Sequence, residues 1–132
     1  MIKYTNKLKF SFTMKHLLNW LIVIAWMAVI YTFSNQPDLH SGFEPIYDLV
    51  LRKMAHMTEY FVLAFLVHRA VSQSDVPPGK SVVLATVFAI AYAFSDEYHQ
   101  NFVVGRHGSY PDVGIDSIGV LAWVWLNSKL RS

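Results

Sequence analysis

Residues 17–33 read LLNWLIVIAWMAVIYTF, and from His16 to Pro37 there is no Asp, Glu, Lys or Arg. A helix needs about 20 consecutive apolar residues to cross a bilayer, so this stretch predicts a membrane span. Three further stretches extend the pattern. Between Met54 and His68 the sole formal charge is Glu59, and residues 81–95 (SVVLATVFAIAYAFS) are uncharged between Lys80 and Asp96. Residues 117–128 (SIGVLAWVWLNS) reach spanning length only when residues 113–116 join them. The reading is an all-α polytopic membrane protein: a single domain over 1–132, with spans at about 15–34, 52–70, 80–100 and 112–128. Residues 1–15 form a basic N-terminal segment before the first span.

Two alternatives are weaker. A cleaved signal peptide would have a shorter apolar core and a small-x-small site, and none follows Phe33. A soluble bundle would have to hide helices that are apolar almost all round inside a 15.1 kDa body with little interior. The chain is 54% hydrophobic with a mean hydropathy of +0.32. It has no cysteine, which excludes disulfides and thiolate chemistry.

The spans sort the charges. One side holds Lys3, Lys7, Lys9, Lys15, Arg69, Lys80, Lys129 and Arg131 against Asp75 alone. The other holds Arg52, Lys53 and Arg106 against Asp38, Glu44, Asp48, Glu59, Asp96, Glu97, Asp112 and Asp116. Basic residues in short loops stay in the cytoplasm, so both termini are expected inside and the acidic side outside. Residues 36–51 read as an outer connection in which Asp38, His40, Glu44 and Asp48 are solvated. Residues 72–79 read as a short inner connection broken by Pro77 and Pro78.

The outer helix ends are polar where most inner ends are not. His56 and Glu59 are spaced i,i+3 and share a face, with Arg52 one turn earlier. Asp96 shares a face with His99 and Gln100, while Glu97 is turned away by about 100°. Asp112 and Asp116 are spaced i,i+4. A charge near the bilayer centre costs about 2.5–3.5 kcal/mol unless compensated. The cluster is therefore either a functional cavity or a structural network of paired charges.

These residues carry a resemblance. Phe33-Ser34 and Gln36-Pro37 are followed by Lys53-x-x-His56-x-x-Glu59-Tyr60. Then come Ser95-Asp96-Glu97-x-His99-Gln100, Phe102-Val103, Arg106-x-Gly108-Ser109, Asp112-Val113, and Asp116 with Gly119. The chain resembles the VanZ-like membrane proteins over most of its length. The resemblance implies a small bacterial inner-membrane protein of the cell envelope, from a family named for a member linked to teicoplanin (glycopeptide antibiotic) resistance.

Chemistry leaves the activity open. As a binding protein, the chain would use Arg52, Lys53, His56, Glu97, Gln100, Arg106, Asp112 and Asp116 to hold a lipid-linked, cell-envelope or lipophilic glycopeptide ligand. Tyr47, Tyr60, Tyr98 and Tyr110 would supply the rim. As a hydrolase or transferase on an envelope lipid or phosphate, it would use Glu59, Asp96 and His99 as catalytic groups. His56, Glu59, Asp96 and His99 offer ligands for a divalent metal that could activate water or clamp a phosphate. A carrier would need ionisable groups through the membrane depth, and residues 21–29, 63–67, 82–89 and 121–126 contain none. Expected partners are membrane lipids and the envelope ligand, not nucleic acid.

Overall fold

The computed structural model describes residues 2–37, 42 and 44–132, with side chains from Phe12 onward. It consists of four α-helices: α1 (Ile2–Ser34), α2 (Pro45–Val71), α3 (Pro78–Gln100) and α4 (Tyr110–Arg131). There is no strand among the described residues.

The number of helices agrees with the sequence reading, and their starts come earlier. Neither proline nor glycine interrupts residues 2–34, so the basic segment joins the first span as one 33-residue helix. α2 begins at Pro45, because proline at the first helical position gives up a hydrogen bond that no helix could have made there. Residues 45–51, expected in a loop, are thus helical. Asp48 in that first turn is buried rather than solvated, which corrects the expectation. Glu44 is exposed as expected, while Asp38 and His40 lie outside the described residues.

α2, α3 and α4 pack mutually, and α1 lies mainly along α2 with a small contact to α3. The core repeats at helical spacing: Tyr60, Leu63, Val67 and Ala70 on α2, Val120 and Trp123 on α4, and Ser81, Ala85, Ala89 and Ala93 on α3. Small side chains every fourth residue let α3 approach its neighbours closely. At Gly119 a methyl group would run into the Met57 carbonyl of α2, so only glycine fits that contact. Buried and half-buried polar bonds attach α1. Trp26 Nε1 donates to the Glu59 carbonyl at 3.0 Å, Tyr92 Oη to the Met27 carbonyl at 2.9 Å, and Ser34 Oγ to Asp96 Oδ2 at 2.7 Å.

Many large apolar groups face out, and at the end away from the termini several charged groups face in. Val87 is 61% exposed and Trp125 63%, while Asp96, Glu97, Arg106 and Asp116 are buried. Two helices, Phe12–Ser34 within α1 and Pro78–Gln100, are long and apolar enough to cross a membrane. α2 and α4 fall short of that measure, α2 because of His56, Glu59, His68 and Arg69, and α4 because of Asp116 and its polar last turn. By composition alone, then, two of the four expected spans qualify.

Candidate functional site

At the end of the fold away from the termini, α2, α3, α4 and the 101–109 loop enclose a cavity of about 250 Å³. All eight residues that the sequence offers for ligand binding line it: Arg52, Lys53 and His56 from α2, Glu97 and Gln100 from α3, Arg106 from the loop, and Asp112 and Asp116 from α4. Gly105 takes a positive φ of +80° in that loop. This is the turn at which a residue without Cβ lets the chain carry Arg106 inward.

The charges are held by short local networks. Lys53 forms an ion pair with Asp112, joining α2 to α4. His56 Nδ1 lies 3.3 Å from Asp116 Oδ1, a second tie between the same helices. Ser109 is the junction of the loop. Its N–H donates to Glu97 Oε2 at 3.0 Å, its hydroxyl donates to Asp112 Oδ2 at 2.7 Å, and its Oγ caps α4 by accepting from the Asp112 N–H. The sequence reading did not single out Ser109 as a site residue. Its place three residues before Asp112 is the N-cap spacing that would have revealed it.

Glu97 needs more than its helical angle to be placed. It does diverge from Asp96, but α3 has neighbours on both sides, so both carboxylates are buried. Asp96 turns toward α1, where Oδ2 accepts from Ser34 and from Gln100 Nε2 at 3.3 Å. Glu97 turns toward α4 and the cavity. The signal was present in the sequence: Ser81, Ala85, Ala89, Ala93 and Glu97 form one i,i+4 ladder.

The three residues offered as catalytic lie outside this cavity's lining. Asp96 joins α1 to α3, and His99 stacks on Tyr31 of α1 with ring centroids 4.7 Å apart. Glu59 lines a second cavity of about 570 Å³ with Trp26, Phe33, Leu51 and Ala55. Arg52, His56 and Arg106 line both cavities, so the charged one adjoins a mainly apolar one between α1 and α2. Tyr47, Tyr98 and Tyr110 are exposed, but Tyr60 is fully buried in the core and cannot belong to a rim.

Nor does the expected metal set of His56, Glu59, Asp96 and His99 come together. Among the described residues, the group whose ligand atoms converge is His56, Glu97 and Asp116, with one atom of each within 4.8 Å of the others.

An apolar exterior around a buried, charged chamber at one end defines the class: a small α-helical protein built for a lipid setting, with an internal polar site. The chain belongs to the VanZ/LLP1 family, which matches residues 11–131. Its two apolar helices and this membership point to a membrane protein. No curated protein and no solved structure matches the chain.

Proposed function

We propose that all four helices cross the bacterial cytoplasmic membrane with both termini inside, and that the charged chamber opens outward to bind an amphipathic envelope ligand. The ligand's anionic group sits at Arg52 and Arg106, and its apolar part lies between α1 and α2. It is a lipid-linked precursor or a lipophilic glycopeptide. Capture of the latter would be this chain's contribution to glycopeptide resistance.

The observation that carries this reading is the pair of adjoining cavities. One is lined by charge and the other by Trp26, Phe33, Leu51 and Ala55, and they share two arginines. Arginine suits a planar or phosphate anion because its donors form a fixed fork. Outward-facing apolar side chains on α2 and α4, among them Phe65, Ile118, Leu121 and Trp125, support spans that hydropathy alone leaves short. A hydrolase or transferase acting on the same ligand is the second reading, and one observation favours it: metal-ligating side chains converge in the chamber.

The test is native mass spectrometry of the detergent-purified chain with a prenyl phosphate, a zwitterionic phospholipid and teicoplanin. Retention of the prenyl phosphate or teicoplanin in preference to the zwitterion, reduced at least tenfold by Arg52→Gln, is the expected result. Equal retention of all three would sink the ligand reading. Orientation is checked separately, since the absence of native cysteines makes a single His107→Cys variant a clean reporter. Labelling of that thiol by an impermeant reagent only after the cells are opened would reverse the topology.

A further inference from the structure

The chamber contains a feature that binding of an organic anion does not explain. Glu97 and Asp116 are carboxylates brought side by side in the interior, 5% and 1% exposed, with the His56 ring between α2 and α4 beside them. Two negative groups that close repel strongly away from water. Asp116 Oδ2 is buried and accepts no hydrogen bond, although buried polar atoms are almost always paired. Nothing about helix packing requires an acid at position 116, where the neighbouring core residues of α4 are Val113 and Val120.

We propose that His56, Glu97 and Asp116 hold a divalent transition-metal ion of the zinc or manganese type. Each residue comes from a different helix, so the three-helix core itself fixes the site. One imidazole nitrogen and two carboxylate oxygens make a borderline-to-hard ligand set, which suits these ions better than a thiolate-seeking metal. The support around the ligands is of the kind metal sites need. Ser109 N–H holds one oxygen of Glu97 at 3.0 Å and so fixes the carboxylate in place. Three protein ligands leave coordination positions open. They face a cavity of about 250 Å³ that also carries Arg52 and Arg106. An oxygen of the anionic group could complete the coordination; this last step, unlike the metal site, rests on the proposed ligand.

The experiment uses the full chain in detergent, stripped with a chelator and titrated calorimetrically with Zn²⁺ and with Mn²⁺. One ion per chain is expected, weakened at least tenfold in His56→Ala, Glu97→Gln and Asp116→Asn and unchanged in His99→Ala. Asparagine and glutamine preserve shape, and helicity measured by circular dichroism checks that each variant is folded. A second measurement needs no variant: electron spin-echo spectra of the Mn²⁺-loaded wild type should show coupling to an imidazole nitrogen. Three outcomes would overturn the site: no stoichiometric uptake of either ion, uptake indifferent to Asp116→Asn, or uptake lost equally in His99→Ala. Prenyl phosphate retention by the stripped protein is scored independently. A chain that binds the lipid but no ion refutes the metal site alone.

Discussion

The two ends of the helical core share one register and carry opposite chemistry. Toward the termini, the buried positions are Leu63, Val67 and Ala70 on α2, Ala85 and Ala89 on α3, and Val120 and Trp123 on α4. One turn further toward the other end the same ladders continue, with different residues. Four before Tyr60 stands His56, four after Ala93 stands Glu97, and four before Val120 stands Asp116. The backbone does not distinguish the halves; the side chains at equivalent positions do. One half is apolar apart from the small polar residues Ser81 and Asn19, and packs by small-residue contact. The other places ionisable groups where only pairing, hydrogen bonds or a bound ion can compensate them. The termini end has its polar contacts toward the margin: His16 Nε2 donates to the Gln73 carbonyl at 2.6 Å, and Arg131 lies 3.2 Å from a half-buried His68. The candidate site is a substitution pattern laid over a uniform bundle.

The comparison breaks most completely where the halves join. Gly119 lies between Asp116 and Val120 on α4 and touches the α2 backbone at Met57. Gly119→Ala forces a methyl group against a carbonyl oxygen that cannot swing aside, so the helices must part. Over-packing costs about 1–3 kcal/mol and occasionally more, and this case belongs at or above the upper end. Loss of the monodisperse detergent-solubilised species in size-exclusion chromatography is expected, with both halves disturbed together. A variant as stable as wild type would mean that α2 and α4 do not meet so closely.

A smaller effect sharpens the assignment of Asp96. The sequence offered it as catalytic, and the structure gives it Ser34 and Gln100 as partners at the α1–α3 contact. Ser34→Ala and Asp96→Asn should each lower stability by about 1.5–3 kcal/mol, the worth of a hydrogen bond to a charged group. The double variant should lose less than the sum of the two. Thermal unfolding in detergent provides the measurement. Additive losses, or a ligand-binding defect in Asp96→Asn with none in Ser34→Ala, would return Asp96 to the site.

How much of this was legible in the sequence depends on the kind of information each feature needs. The four helices follow from apolar runs, and the eight cavity residues follow from polar residues at the ends of those runs. Each is a local signal. The helix starts were misread because Pro45 looks like loop punctuation until a helix is seen to begin on it. Asp48 was misjudged with that start, and the burial of both Asp96 and Glu97 was out of reach, because a residue's angle on its own helix says nothing about which neighbours surround that helix. Asp96 and Glu97 both find interior because α3 is flanked on two sides. Likewise Glu59 and His99 share the polar end with His56, yet one faces the α1–α2 cavity and the other stacks on Tyr31. Spacing gave their faces, and only tertiary packing could assign those faces to partners.

The smallest expected effect tests the outer surface against the inner on a single helix. Val87 and Ala89 are two residues apart on α3, the first 61% exposed and the second fully buried. In a membrane the surroundings of Val87 are acyl chains as apolar as itself, so Val87→Leu should shift stability by no more than about 0.5 kcal/mol, as for substitutions away from packed contacts. Ala89→Leu adds the bulkier side chain where α3 packs against its neighbours and should cost about 1–3 kcal/mol. Both variants are compared by thermal unfolding in the same anionic lipid vesicles. A tolerant Ala89 would show that the small-residue ladder is not a close contact. An intolerant Val87 would show that this face is covered by protein, and the lipid-facing assignment of α3 would fail there.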